Sequence, residues 1–296
     1  MAFDVYVYGM TVLSTIHRVA LDARGLDGYG EILETRVCPG GEGMNGALVL
    51  SGLGLKTALG GSQWGTQTGE VLAGYAARYG IDVRSVTRSQ SHAGWRDIVI
   101  VNGAQRCVLG WFADYFAQQP RRWDEPDATA IADARALAID PYFGDSSERA
   151  ARLALDAGRP YVTIDCAPAS ALHRGAAATV VSREYRKSHY PHHPDEALLS
   201  EYAAGSSGLT IFTAGSQPIL FARRGQAPRM LAVKPVRVIS TLGAGDVFRA
   251  GVVYGVLGGF DDAECVRFAA ELSAWSCSRF PIADNVPSLR ELEPFS

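Results

Sequence analysis

Ser240-Thr-Leu-Gly243-Ala244-Gly245-Asp246-Val-Phe-Arg-Ala-Gly251 is the stretch whose reading decides the fold. It follows an apolar run, Met230 to Ile239, that reads as a strand, and leads into Val247 to Leu257, which reads as a helix. Two glycines let the backbone turn tightly and approach a ligand closely. A helix that starts near Asp246 presents unpaired N–H groups and the positive end of its dipole at this turn. Such a corner holds an anion, typically a phosphate. The Asp246 carboxylate adds a group that can take a proton from an attacking hydroxyl. Taken alone, the stretch also fits an ordinary strand–turn–helix corner with Asp246 as a first-turn carboxylate.

A second glycine-rich stretch lies far upstream. Pro39-Gly40-Gly41-Glu42-Gly43-Met44-Asn45-Gly46-Ala47 precedes a helical pattern through Leu53. Asn45 on the first turn offers a donor and an acceptor suited to neighbouring hydroxyls. By itself it fits equally well a loop with an asparagine near a helix cap. No Gly-Lys-Ser/Thr follows the glycines, which excludes a P-loop.

The rest of the chain supplies a frame for these two corners. Phe3 to Tyr8 reads as a buried strand closed by Gly9, and Ile32 to Cys38 as an exposed one. Residues 94–112 read as a hairpin around Asn102-Gly103. From Ala128 onward strands and helices alternate, which predicts an α/β fold with a doubly wound, mostly parallel sheet. The hairpin and the Ile32–Cys38 strand stand outside that alternation. They predict a small β-sheet lid, built from segments of about 15–38 and 94–112, on a single domain spanning residues 1–296.

A chain of 296 residues with 47 % hydrophobic and 20 % charged residues is globular in type. A net charge of −3 gives no reason to expect nucleic acid or an anionic membrane as partner. The five cysteines are odd in number and lack metal-site spacing, so they read as reduced thiols of a cytoplasmic protein. The N-terminus has no basic flank and reads as a first strand, not a signal peptide. No apolar run is long enough to span a bilayer. His189, His192 and His193 sit in a proline-broken loop without helical spacing, which argues against a metal site. Trp64, Trp95, Trp111, Trp123 and Trp275 read as packing residues.

Together, the Gly40-Gly41-Glu-Gly-Met-Asn45 stretch, the mid-chain hairpin and Gly243-Ala-Gly-Asp246 resemble the ribokinase, or PfkB, family of carbohydrate kinases. Thr241-Leu-Gly-Ala-Gly-Asp and Val180-Val-Ser-Arg-Glu are similar to its ketohexokinase-like branch. The resemblance implies ATP as donor, Mg²⁺ as cofactor, and a hydroxymethyl group of a sugar or nucleoside as acceptor. It places Asp246 on the catalytic base and Gly243, Ala244 and Gly245 on the anion hole. Gly40, Gly41 and Asn45 fall on the acceptor site, Thr213 and Gly215 on the nucleotide loop, and Ser182 and Glu184 near the metal and phosphates. It further implies a homodimer formed through the lid.

Several positions depart from the family pattern. Ser14 stands where the family carries an aspartate that grips acceptor hydroxyls, and Asp140, at the end of its own strand, is the candidate to compensate. On that reading, Ser14→Asp improves the use of a simple sugar. Ser240-Thr241 replaces the Asp-Thr associated with monovalent-cation activation, and Glu184 matches the metal-associated glutamate only with a one-residue shift. Two rival readings stay open: a nucleoside kinase of the same fold, and a ligand-binding protein with weakened turnover.

Overall fold

The computed structural model describes residues 2–21, 29–103, 105–117 and 121–292, with the side chain of Leu21 also outside the description. Thirteen strands are present among these residues. In chain order they are β1 (Phe3–Tyr8), β2 (Val12–Leu21), β3 (Gly30–Gly40), β4 (Thr57–Trp64), β5 (Asp82–Arg88), β6 (Arg96–Asn102) and β7 (Gln105–Gly110). There follow β8 (Ala134–Ile139), β9 (Tyr161–Ile164), β10 (Ala178–Val181), β11 (Leu209–Phe212), β12 (Ile219–Ala222) and β13 (Arg229–Leu231).

Nine of them form one sheet in the order β13-β12-β11-β10-β9-β8-β1-β4-β5. Pairing is parallel from β11 to β5 and antiparallel only at β11–β12 and β12–β13. The central strands are buried on both faces and therefore carry unbroken apolar runs, Val5-Tyr-Val-Tyr8 and Ala136-Leu-Ala-Ile139 among them. Helices Glu42–Gly52, Ala244–Gly258 and Asp262–Cys277 supply Leu48, Val252 and Val266 to the larger hydrophobic core. Helices Ala128–Asp133 and Asp145–Asp156 supply Ile131 and Ala150 to a second core with Tyr6, Tyr8 and Leu137. The doubly wound α/β expectation is met.

The other four strands form a separate sheet, β3-β2-β6-β7, in which β2 and β6 run parallel and the two outer pairs antiparallel. It begins at Val12, a little before the segment of 15–38 anticipated for a lid; residues 22–28 of that segment lie outside the described residues. The Asn102-Gly103 turn joins β6 to β7, with Asn102 paired to Gln105. On the inner face Ile16, Cys38 and Val99 pack into the main core. Ile32, Leu33, Val37, Val108, Leu109 and Trp111 are exposed.

Three expectations need correction. The strand expected over Met230–Ile239 is only Arg229–Leu231, because β12 offers just Ile219–Ala222 to pair with and Pro235 has no N–H to donate. The strand β5 went unnoticed: it is an edge strand whose alternation is mostly polar. Trp64, Trp95, Trp123 and Trp275 are packing residues as expected, but Trp111 is half exposed with the Arg96 guanidinium 4.6 Å above its ring.

Candidate active site

Strand order reverses around β1: the chain moves outward through β4 and β5, then returns to β8 on the opposite side. In open α/β sheets a crevice forms at the carboxyl ends of the strands at such a point. The loops after β1, β8, β9, β10 and β11 all open there, and they carry Gly9 to Thr11, Asp140, Asp165, Ser182 and Thr213. The loop after β1 is fixed by Thr11, whose N–H and hydroxyl bond Ser62 Oγ at 3.1 and 2.7 Å and whose Oγ1 accepts from Trp64 Nε1 at 2.9 Å.

Two helices start at this crevice, and their first turns differ. Helix Glu42–Gly52 is entered through Gly41, at φ 85°. Its Gly43 and Met44 amides both donate to the Met10 carbonyl, at 2.8 and 3.2 Å, so they are already engaged. A Cβ at position 43 would lie 2.5 Å from the Gly9 carbonyl carbon, which is why the sequence carries glycine there. Helix Ala244–Gly258 is entered through Gly243 in the left-handed region, φ 74°. A side chain at Gly243 would meet Ile282 Cδ1 at 2.5 Å and Asn45 Nδ2 at 3.0 Å. The first-turn amides of this helix have no i−4 carbonyl within it. Of the two helix starts, this one keeps the first-turn amides of Gly245 and Asp246 free of the kind of carbonyl contact that engages Gly43 and Met44, as an anion-binding corner requires.

The two glycine-rich stretches meet through their side chains. Asn45 Nδ2 donates to Asp246 Oδ2 at 2.8 Å, joining residues 201 positions apart, and both are buried. Burial raises the Asp246 carboxyl above the usual carboxylate range; Arg249 and the Asn45 bond pull it back, while Asp140 and Asp165 push it further up. A helix N-terminus by itself would favour the ionised carboxylate, but desolvation is the larger effect. Burial raises the Glu42 carboxyl as well, with Asp246 and Asp140 adding to the rise.

Arg249 and Asp140 are both 0 % exposed. The guanidinium pairs with Asp140 Oδ1, and its Nη2 donates to the Glu42 carbonyl at 2.8 Å. The other Asp140 oxygen accepts the Met10 amide at 2.8 Å. Asp140 therefore lies at the crevice, with each of its oxygens already accepting one bond from the protein. It holds Arg249, which in turn ties the Ala244 helix to the start of the Glu42 helix.

Ser14, Gly40 and Gly41 gather on the side of the second sheet: a Cβ at Gly40 would lie 2.5 Å from Ser14 Oγ. Arg106 Nη1, on β7, donates to Thr241 Oγ1 at 3.0 Å, so this sheet also touches the segment leading into the anion corner.

Ser182, Thr213, Gly215 and Glu184 lie further along the same edge, after β10 and β11. Ser182 caps helix Arg183–His189 through the Tyr185 amide and bonds Asp165 through its own amide and hydroxyl, at 2.6 and 2.9 Å. Thr213 is anchored by its amide to the Val181 carbonyl at 3.1 Å, and its carbonyl accepts from Arg186 at 3.1 Å. Gly215 turns the loop at φ 63°. Glu184 is exposed, 3.6 Å from Arg183, and raises the Asp165 carboxyl that burial has already raised. Asp165 itself holds a left-handed backbone, φ 45°. One or two carboxylates beside a phosphate site are the donors a magnesium ion takes, its remaining positions going to phosphate and water. Asp165 with Glu184 fits that description. Among the described residues no group of three or more metal-binding side chains could enclose an ion unaided.

Arg249, Asp165 and Arg106 escaped the sequence reading. Arg249 left a trace, a charged residue inside the otherwise apolar run after Asp246. Asp165, like Asp140, ends a strand on the crevice side. Arg106 left no signal, since its contact spans 135 positions.

The profile of pfkB family carbohydrate kinases matches residues 5–288. A sugar kinase of Archaeoglobus fulgidus is 24 % identical over 259 residues, covering 80 % of this chain and 98 % of its own. Arabidopsis thaliana ribokinase, solved with ribose and ATP, superposes with a TM-score of 0.81 at 17 % identity, covering 99 % of this chain and 98 % of the other. A microbiome-derived acarbose kinase gives 0.79 at 21 % identity, covering 99 % of each chain. The adenosine kinase of Sinorhizobium meliloti gives 0.76 at 17 % identity over 95 % of each. The chain belongs to the pfkB family of carbohydrate kinases and is an ATP-dependent enzyme of that family. No helix of the described residues is long and apolar enough to cross a membrane.

Proposed function

We propose that this kinase transfers the γ-phosphoryl group of ATP to a hydroxymethyl group of a sugar or sugar-like molecule, with Asp246 as the base. The observation that carries the reading is the 2.8 Å bond from Asn45 to Asp246, which sets an acceptor-side amide against a buried carboxylate at the mouth of an anion-binding turn. Asn45 fixes Asp246 Oδ2 and leaves Oδ1 for the acceptor hydroxyl. Asp246 takes that proton late, as the new bond to phosphorus forms, which suits a loose transition state. The amides at the start of the Ala244 helix stabilise charge on the group in transit. Thr213 and Gly215 lie where the nucleotide runs along the strand ends. Asp165 and Glu184 would hold Mg²⁺, which supplies charge neutralisation at the phosphates. The β2-β3-β6-β7 sheet acts as the lid that keeps water from competing with the acceptor.

ADP release measured across neutral sugars and nucleosides tests the reading. Acceptor-dependent turnover with sugars supports it. Turnover confined to nucleosides moves the acceptor class, and none with any acceptor leaves a binding protein.

A pH dependence follows from the raised Asp246 carboxyl. The base must be ionised, so kcat holds on the alkaline side and falls tenfold per pH unit once pH drops below its raised pKa. The Asn45 bond favours the ionised form, so Asn45→Ala should move this acid limb to higher pH. A limb that stays in place in that variant would detach it from Asp246.

The exposed apolar side chains on the lid suit a second lid across a two-fold axis. We infer a homodimer that buries Leu109 and Val108, each more than two-fifths exposed in the single chain. Light scattering should give twice the chain mass for the wild type and a monomer for Leu109→Asp. A wild type that stays monomeric at about 10 μM, a concentration that populates ordinary specific dimers, speaks against the lid as an interface.

A further inference from the structure

Ser14 leaves the acceptor side of the crevice without the carboxylate that carbohydrate kinases of this pattern place there. The fold brings another within one strand. β2 lies between β3 and β6, and the register aligns Cys38, Ser14 and Asp97 in one row across the sheet. Their exposures of 2, 5 and 8 % put all three on the inner face. The row borders the acceptor loop, because Ser14 Oγ stands directly over Gly40.

Asp97 is held there at a cost. Burial pushes its carboxyl up to about 6, and the Ser14 hydroxyl beside it pulls the other way. Its Oδ1 is buried and has no hydrogen-bond partner among the described residues. Neighbouring cations do not answer it: Arg96 precedes it on the opposite face of β6, where it bonds Gln67 and covers Trp111. A buried carboxylate oxygen without a donor is unfavourable, and the missing donor can come from a ligand. An acceptor seated between Asn45 and Gly40 brings hydroxyl groups to this place.

We propose that Asp97 is the specificity-determining residue that binds the acceptor's hydroxyls, reaching from β6 what the family pattern reaches from β2, with Ser14 orienting its carboxylate. The reading rests on the proposed function and narrows the acceptor to a neutral molecule with hydroxyls beyond the one that is phosphorylated. An acceptor carrying a carboxylate or phosphate would meet Asp97 and Asp246 with like charge. It also revises the expected result for Ser14→Asp: a second carboxylate beside Asp97 repels the first, so that variant alone gains nothing. Moving the charge, by Ser14→Asp together with Asp97→Asn, should restore binding.

The test is calorimetric binding and steady-state kinetics on neutral sugars (ribose and fructose first) with gluconate and ribose 5-phosphate as anionic counterparts. Asp97→Asn should raise Kd and KM for the best neutral sugar about 10- to 100-fold, the range for one charged hydrogen bond. It should leave kcat within about threefold, since its contact is made in the ground and transition states alike. ATP affinity should be unchanged and Tm should hold or rise, since a costly buried charge is removed, and the double variant should recover at least tenfold of the loss. An unchanged sugar Kd in Asp97→Asn overturns the proposal, as does a loss confined to Tm, or anionic counterparts bound as tightly as neutral sugars. Asp246→Asn, run in parallel, separates the two levels: full activity in that variant overturns the assignment of the base, whereas the Asp97 reading stands or falls on sugar binding.

Discussion

Asp246→Asn is expected to lower kcat by about 10²–10⁴, the range for loss of a positioned general base. Asparagine keeps the size of the side chain and an oxygen that accepts the Asn45 amide, so the 2.8 Å link between the two helices survives. What is lost is the capacity to take a proton. ATP affinity should stay within about twofold, because the proposed function draws the phosphate contacts from the backbone of the Ala244 turn and from the strand ends after β10 and β11. Steady-state kinetics with an independent nucleotide-binding titration measures both. A variant that keeps near-wild-type kcat removes Asp246 from the mechanism. One that loses nucleotide binding in proportion makes it a structural residue.

The second large effect concerns stability. Arg249→Met should destabilise the protein by about 3–5 kcal/mol, the usual penalty for leaving one member of a buried ion pair without the other. Asp140 is fully buried and would retain only the Met10 amide. The Glu42 carbonyl would lose its donor as well. Adding Asp140→Asn removes the stranded charge, so the double variant should recover most of the loss. Urea unfolding with a constant slope reads both values. A single variant within about 1 kcal/mol of wild type, the scale of an ordinary substitution, would show that the pair contributes little. The consequence for function is geometric: Arg249 joins the end of β8, the acceptor loop and the helix that carries Asp246.

The parts of this site that the sequence displayed are those whose demands are local. Gly41 and Gly243 occupy backbone conformations open to glycine, and Asn45 and Asp246 follow each at fixed spacing on a first helical turn. Alternation of apolar runs after Ala128 carried the parallel sheet, because buried central strands and amphipathic helices differ in period. Contacts between distant segments were not displayed. Asp140 ended a strand on the right side, yet nothing near it announced that Arg249, 109 positions on, would occupy it. Asp97 is one polar residue at the start of the hairpin strand β6, with nothing local to single it out. Its meaning depends on β6 pairing in parallel with β2, a register no local pattern specifies. The raised Asp246 carboxyl was likewise out of reach, since dipole and burial act in opposite senses and only packing decides between them.

The most direct test of the account is the phosphorus NMR spectrum of the product, recorded with proton coupling, from wild-type enzyme, ATP and the best neutral sugar. A phosphate on a hydroxymethyl oxygen couples to two carbinol protons. The account predicts a single new phosphomonoester triplet that grows with ADP, and that grows at least about a hundredfold more slowly with Asp246→Asn. A doublet, from a secondary or anomeric hydroxyl, or inorganic phosphate as the only product, would contradict it.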